Sequence, residues 1–142
     1  MKRDSSNACQ RDPLPNAKIL IVYSDEIIRE SLTALLKREG FRILQASNWK
    51  MGLKVVRTTR PDLMLIEIKM ADLDGIDLLQ KARNFNPNLL IIAINPYGDS
   101  QGAARALEAG AYSYLEKPVP IREIPRVVRQ ALAKRSLGEY YL

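Results

Sequence analysis

The sequence predicts an α/β fold, in which parallel strands alternate with crossover helices. Short apolar runs rich in Ile, Leu and Val alternate with longer stretches of helical periodicity from residue 18 onward. This alternation is typical of a parallel sheet whose strands are joined by helices. Three of the five runs are almost continuously apolar, which indicates strands that are covered on both faces of the sheet.

The five apolar runs are the predicted strands. They are KILIV (18 to 22), FRILQ (41 to 45), DLMLIEI (62 to 68), LLIIAI (89 to 94) and AYSYL (111 to 115). Residues 17 to 135 are predicted to form one domain, because a chain of 142 residues that is 46% hydrophobic can bury an independent core. Residues 1 to 16 are predicted as a flexible arm and residues 136 to 142 as a short tail.

The first two helices follow the first two strands. One apolar stripe on the first helix has the spacing i, i+4, i+7 and i+8 and consists of Ile28, Leu32, Leu35 and Leu36. Gly40 is a suitable terminator for this helix. Asn48 is placed to cap the second helix, whose inner face carries Leu53 and Val56.

The remaining three helices show the same periodicity. The third is predicted to open at Asp74 and Gly75, with inward residues Ile76, Leu79 and Ala82. The fourth is predicted from about residue 99 to 109, with Gly110 as its stop. The apolar face of the fifth carries Ile121, Ile124, Val128, Ala131 and Leu132. Because Pro125 lacks a backbone donor, this helix is predicted to begin late or to bend.

Composition excludes several classes of function. The chain has no His and a single Cys, so it has almost no ligands for a zinc site and no base for a Ser-His triad. It has no apolar run of membrane-spanning length and no apolar stretch near its start, and we expect it to be cytoplasmic. A net charge of +6 suits an acidic partner or nucleic acid, but modest basicity more often serves only solubility.

Four segments occur in a specific order: KILIVYSDEIIRESLTALLKREGF, PDLMLIEIKMADLDGIDLL, LLIIAINPYGD and ALEAGAYSYLEKP. In this order they resemble the receiver domain of bacterial response regulators of the chemotaxis type, over about residues 18 to 134. The resemblance implies a flavodoxin-like, doubly wound (βα)5 fold with the strand order 2-1-3-4-5. It also implies a pocket at the carboxyl ends of the strands, beside the point where the strand order reverses.

The chain departs from this family at its phosphorylation pocket. In the family, two acidic residues after the first strand help to bind Mg²⁺, and this chain has Tyr23 and Ser24 at those positions. The aspartate that accepts the phosphoryl group is replaced by Glu67. Asp25 is the nearest other carboxylate, one position too far along for a simple replacement. Because Mg²⁺ requires oxygen ligands in near-octahedral geometry, and Tyr23 would fill the ion's volume if it pointed into the pocket, Mg²⁺ binding is expected to be weak or absent. No other cofactor is expected.

Two further positions carry over from the family. Asn95 replaces the hydroxyl residue that contacts the phosphoryl group, and Lys117 matches the phosphate-binding lysine. Two interpretations of Glu67 stay open. An ion pair with Lys117 and a hydrogen bond from Asn95 would hold the active arrangement permanently, or Glu67 neutralises Lys117 in an inert pocket. The altered pocket could also bind another anion.

The remaining candidate residues concern partners. Tyr114 matches the aromatic residue whose rotamer reports the state of the family's output face, and packing on the sheet is the alternative. The fourth helix, fifth strand and fifth helix form the predicted face for a protein partner or a homodimer. The charged residues of this face are Glu108, Arg122, Arg126 and Arg129, and a solvated basic face is the alternative for the arginines. The first helix is the predicted contact for a histidine kinase.

We therefore predict an atypical receiver module of two-component signalling, which acts through protein contacts without a conventional aspartate phosphorylation cycle. It is predicted to be a binding module and not an enzyme. The alternatives are a receiver that still accepts phosphate at a non-standard carboxylate, and the amino-terminal regulatory domain of a DNA-binding transcription factor. Direct nucleic-acid binding is not expected, because the sequence shows no reading helix or aromatic stacking platform. No membrane contact is expected.

Overall fold

The computed structural model describes residues 16–70, 73–95, 100–116 and 120–138. The strands are β1 (Lys18–Val22), β2 (Arg42–Ala46), β3 (Leu63–Glu67), β4 (Leu90–Asn95) and β5 (Ser113–Glu116). The helices are α1 (Glu26–Arg38), α2 (Trp49–Thr59), α3 (Gly75–Phe85), α4 (Ser100–Glu108) and α5 (Ile124–Gly138). A small antiparallel hairpin (Lys69–Met70 with Leu73–Asp74) precedes α3, and a 3-10 turn (Ile121–Glu123) precedes α5.

The five strands form one parallel sheet in the order β2-β1-β3-β4-β5, which confirms the predicted fold. Val22, at the end of β1, pairs with Ile66 of β3. Glu67, the last residue of β3, pairs with Ile94 of β4. The chain therefore leaves β1, β3 and β4 at one edge of the sheet, where the order reverses between β1 and β3.

Two apolar clusters cover the two faces of the sheet. Helices α2, α3 and α4 pack on one face, around buried residues such as Val56, Leu79 and Ala106. Helices α1 and α5 pack on the other face, where Leu32 and Val128 are buried. Because both faces are covered, the central strands bury nearly every side chain, as their continuous apolar runs predict.

The helix ends follow the predicted signals. Gly40 and Gly110 have φ angles of 97° and 114°, a region that residues with a Cβ rarely occupy. Beyond α1, the amides of Gly40 and Phe41 donate to carbonyls of the last helical turn, which satisfies acceptors that the helix leaves open. The side chain of Asn48 accepts a hydrogen bond from the amide of Met51, 2.9 Å away, and caps α2 as predicted.

Helix α3 begins at Gly75, as predicted, directly after Asp74 pairs with Lys69 in the hairpin. Several other boundaries differ from the sequence prediction by one to three residues. Strand β5 begins at Ser113 because the amide of Ala111 donates to the carbonyl of Ala106 and so completes the end of α4. Helix α5 continues to Gly138, three residues into the predicted tail.

The proline of the last helix lies where it does least harm. The chain first makes the 3-10 turn, and α5 then begins at Ile124, so Pro125 falls in the first turn. A first-turn residue has no intrahelical acceptor for its amide, and the missing donor costs little there. The prediction of a late start is confirmed. No helix in the described ranges is long and apolar enough to cross a membrane, and residues 1–15 of the predicted arm lie outside those ranges.

Candidate functional site

The candidate site lies where β1 and β3 end. Glu67 is the last residue of β3, and only 5% of its surface is exposed. The pairing of Val22 with Ile66 brings the loop between β1 and α1 (residues 23–25) next to this carboxylate. A buried carboxylate requires hydrogen-bond donors, because leaving it without partners costs several kcal/mol.

Ser24 supplies two of these donors. Its backbone amide lies 3.0 Å from Oε1 of Glu67 and its hydroxyl lies 2.8 Å from the same oxygen. Both groups donate to the carboxylate, and hydrogen bonds to an ionised acceptor are stronger than those between neutral groups. Ser24 occupies a position that the family resemblance assigns to a metal-binding acid. Its neutral hydroxyl group therefore binds directly to Glu67 at the acceptor position.

Asp25 has a different task. Its backbone is extended, and its Oδ1 accepts a hydrogen bond from the amide of Ile28, 3.1 Å away, so Asp25 is the N-cap of α1. A carboxylate at this point satisfies a free amide and interacts favourably with the positive end of the helix dipole. The structure thus uses Asp25 to start the helix.

Arg29 holds the same loop from the helix side. Its Nη1 donates to the carbonyl of Tyr23 at 2.7 Å and to that of Ser24 at 3.4 Å, and its Nε donates to Gln45 on β2 at 3.1 Å. The guanidinium group thereby fixes the turn that presents Ser24 to Glu67. Sequence reasoning missed this residue because its principal acceptors are backbone carbonyls, which leave no pattern in the sequence.

Tyr23 points into the core. Its side chain is 5% exposed and belongs to the apolar cluster between the sheet and helices α1 and α5. Its amide donates to the carbonyl of Ala46 at 3.1 Å, which extends the pairing of β1 with β2 by one residue. The ring of Tyr23 therefore fills space in the hydrophobic core.

The two carboxylates of this site, those of Glu67 and Asp25, each accept hydrogen bonds from the protein. Oε1 of Glu67 already accepts two hydrogen bonds, and Asp25 caps α1. Within the described ranges, no three His, Cys, Asp or Glu residues are grouped so that they could hold a metal ion. Mg²⁺ needs oxygen ligands in near-octahedral geometry and usually takes one or two carboxylates along with phosphate oxygens, and Ser24 supplies no carboxylate at the position that the resemblance assigns to a metal-binding acid.

Two predicted pocket residues are described only in part or not at all. Asn95 ends β4 and pairs with Glu116 of β5, which puts its backbone one position beyond Ile94, the partner of Glu67. Lys117 lies outside the described residues, and so does the predicted ion pair between it and Glu67.

The predicted output face contains both apolar and charged side chains. Tyr114 is half-buried and packs against the cluster beneath α2, α3 and α4. Leu107 on α4 and Tyr112 before β5 are 50% and 41% exposed. Glu108, the last residue of α4, is exposed beside Leu107.

The predicted arginine stripe is partly paired within the chain. Arg126 forms an ion pair with Glu123, three residues earlier. Arg129 pairs with Glu39 at the end of α1 and so joins α5 to α1. Arg122 lies in the exposed 3-10 turn. Two of the three arginines are therefore already engaged by acidic residues of the same chain.

Comparison with known proteins gives one consistent family. The family model described as the response regulator receiver domain matches residues 19–129. Sporulation initiation phosphotransferase F of Bacillus subtilis (strain 168) is 34% identical over 121 residues, which cover 85% of this chain and 98% of that protein. Transcriptional regulatory protein ZraR of Klebsiella oxytoca is 36% identical over 121 residues, which cover 85% of this chain but only 27% of that regulator.

Solved structures show the same fold. A CheY-like response regulator receiver domain protein from Methanospirillum hungatei JF-1 superposes with a TM-score of 0.82 and 29% identity, covering 87% of this chain and 98% of that one. A receiver domain from Clostridium thermocellum superposes with a TM-score of 0.78 and 28% identity, covering 85% and 98% of the two chains. This chain therefore spans nearly the whole of several compact relatives and about a quarter of the longer regulator.

Proposed function

Because this chain belongs to the response regulator receiver domain family and is a receiver module of two-component signalling, we propose that it signals through protein contacts without a conventional aspartate phosphorylation cycle. The hydrogen-bonded pair of Ser24 and Glu67 carries this proposal. In this pair, a neutral residue stands at a position that the family resemblance assigns to a metal-binding acid, and it donates two hydrogen bonds to the carboxylate at the acceptor position.

Phosphoryl transfer to this site lacks two requirements. The transferred group carries several negative oxygens, and a bound cation normally neutralises them during the reaction. Ser24 brings no charge with which to hold that cation, and Asp25 is committed to the cap of α1. In addition, Glu67 is only 5% exposed and its Oε1 accepts two hydrogen bonds, so a phosphoryl donor has restricted access to this carboxylate.

Intact mass after incubation with acetyl phosphate and Mg²⁺ tests the proposal. We expect the wild-type chain to remain unmodified and the double variant Ser24→Asp/Glu67→Asp to gain one phosphoryl group. This variant leaves Tyr23 in place, because its ring is part of the core. Glu67→Asp alone is the matched control, since it restores the acceptor without the metal ligand. A wild-type chain that is stoichiometrically phosphorylated would overturn the proposal.

The proposed output is a protein contact through α4, β5 and α5. The exposed side chains of Leu107 and Tyr112 support this surface, because apolar and aromatic groups are enriched at the centres of interfaces. In this proposal, Glu67 holds the site in one fixed state. Glu67→Gln removes the charge but keeps an oxygen that can accept from Ser24, and we expect it to shift the NMR resonances of α4 and β5. If these resonances stay unchanged, Glu67 does not influence the output face.

A second candidate function is phosphoryl relay. Sporulation initiation phosphotransferase F resembles this chain over nearly its full length, and Glu67 retains a carboxylate at the acceptor position. In such a step, a Glu67 oxygen attacks the phosphorus of an acyl phosphate, and the bond from phosphorus to the donor oxygen breaks to release the donor carboxylate. The same mass measurement decides, because a phosphorylated product that is lost in Glu67→Gln supports relay and one that persists assigns the phosphate to another residue.

A further inference from the structure

The surface of α2 forms a groove that the proposed function does not use. The groove has a volume of about 450 Å³. We call it the α2 groove, and its lining residues are Trp49, Lys50, Leu53, Lys54, Arg57 and Thr58. These positions follow one another at helical spacing along one side of α2. We propose that the α2 groove binds an acidic segment of a partner protein that also carries large apolar side chains.

The charge of the groove is of one sign. Helix α2 has the sequence WKMGLKVVRTT, which contains three cations and no acidic residue. Lys50, Lys54 and Arg57 are all exposed. Within the described ranges, no carboxylate forms an ion pair with any of them. A concave surface lined by one sign of charge attracts and concentrates ligands of the opposite sign.

The floor of the groove is apolar. Trp49 and Leu53 are half-buried and pack against the cluster beneath the helices. Met51 on α2 and Phe85 on α3 are 49% and 46% exposed nearby. Trp, Met and Arg are enriched where proteins bind one another. An acidic segment with leucine or aromatic side chains would meet both the cations and this floor.

Two cation–π contacts tie the groove to α3. The Arg57 guanidinium lies 5.2 Å from the ring centre of Phe85, and the Lys81 ammonium lies 5.1 Å from that of Trp49. Both contacts cross between α2 and α3, so they hold Arg57 and the ring of Trp49 in place before a ligand arrives. Ordered side chains lose less conformational freedom on binding, which favours affinity.

The neighbouring groove has a different character. It lies between α3 and α4, has a volume of about 320 Å³, and carries Asp77, Arg105 and Glu108 among its lining residues. Both signs of charge are present there, so that groove has no clear preference for an anion. The single sign of the α2 groove is therefore a local property and does not simply follow from the net charge of +6.

The same observations favour a protein segment over nucleic acid and over a second copy of this chain. Base stacking needs an open ring face, but the ring of Trp49 has a cation over one face and is half-buried against the cluster beneath the helices, and a cation also covers one face of Phe85. A second copy would bring its own excess of positive charge, since the chain has 22 basic and 16 acidic residues. An acidic segment of a partner meets neither obstacle.

Titration of the full chain with a short Glu-rich peptide containing leucines, followed by NMR, tests the proposal. We expect shifts at the amides of α2 and the end of α3. Lys50→Glu/Lys54→Glu is expected to weaken binding on the order of tenfold. Lys37→Glu/Lys134→Glu is the matched control, because it changes the net charge equally at exposed sites on α1 and α5, across the sheet from α2. The same peptide with serine for leucine is expected to bind more weakly, and this change cannot affect the folding of the protein.

Each other outcome overturns the proposal. Equal loss in the two double variants means that only net charge is recognised, and equal binding of the serine peptide means that the apolar side chains of the peptide are not recognised. Tighter binding of duplex DNA that Lys50→Glu/Lys54→Glu abolishes assigns the groove to nucleic acid. Self-association in sedimentation that the same variant abolishes assigns it to a second copy. None of these results depends on phosphorylation, so the test is independent of the proposed function.

Discussion

The loop between β1 and α1 and the α2 groove use their polar side chains in opposite ways. In the loop, Ser24 donates to Glu67, Asp25 caps α1, and Arg29 binds the loop carbonyls. In the groove, Lys50 and Lys54 point their charges outward with no acidic partner in the described part of the chain. Polar groups that are satisfied internally stabilise one conformation, whereas charges left unmatched at a surface are available to another molecule.

This comparison predicts that substitutions in the loop reduce stability and that substitutions in the groove do not. Four variants test it, and their expected effects decrease from the core of the loop region outward to the groove.

The largest effect is expected for Tyr23→Ala. The substitution removes a buried ring from the cluster beneath α1 and α5, and truncation of a buried aromatic side chain leaves a cavity. We expect the free energy of unfolding to fall by about 3 kcal/mol, measured by urea denaturation. Tyr23→Phe is the control and should retain most of the stability. A loss below about 1 kcal/mol for Tyr23→Ala would show that the ring is not part of a packed core.

Arg29→Ala is expected to cost about 2 kcal/mol, because it leaves the Tyr23 and Ser24 carbonyls without a charged donor. Amide hydrogen exchange at Ser24 should also become faster as the turn loosens. Arg38→Ala removes the same side chain from an exposed position near the end of α1 and should change stability little. Similar losses in the two variants would contradict the role given to Arg29.

Asp25→Ala should cost about 1 kcal/mol, the usual effect of removing an N-cap side chain. Asp25→Asn retains an oxygen that can accept from the amide of Ile28 and should keep most of that stability. Thermal denaturation of both variants checks this. If Asp25→Asn is as destabilised as Asp25→Ala, the role of Asp25 depends on its charge and not on the cap.

The smallest effect is expected for Lys54→Glu, which should change stability by less than about 0.5 kcal/mol because the side chain is exposed and has no acidic partner among the described residues. The same variant should weaken binding of the Glu-rich peptide. A clear loss of stability would mean that Lys54 stabilises the fold, and the contrast between the two regions would then fail.

The strands and most helix ends could be predicted from the sequence because their signals are local. Apolar runs mark the buried strands, and Gly40, Asn48 and Gly110 act at helix ends within a few residues of their partners. The strand order needed the family resemblance. The predicted start of β5 at residue 111 was wrong, because the amide of Ala111 donates to Ala106 at the end of α4 and the strand begins only at Ser113.

The site was harder to predict because its contacts join distant parts of the chain. The resemblance placed Ser24 and Glu67 in one pocket, but their direct hydrogen bond depends on the geometry of a turn that Arg29 holds. The cap at Asp25 is a local signal that could have been recognised three residues before Ile28. The pairing of Arg126 with Glu123 has helical spacing, but the pairing of Arg129 with Glu39 requires the packing of α5 on α1.

The hydrogen bonds from Arg29 to the backbone of the loop have a consequence for how this site can change over evolutionary time. Arg29 grips the backbone carbonyls at positions 23 and 24, and every amino acid provides such a carbonyl. The contact at position 24 therefore does not depend on which side chain stands there, whereas the side chain at position 23 must also fill the core. A lineage can exchange an acid for a neutral residue at position 24, or restore it, while Arg29 still binds the backbone there, so the chemistry of that position can change without loss of the turn.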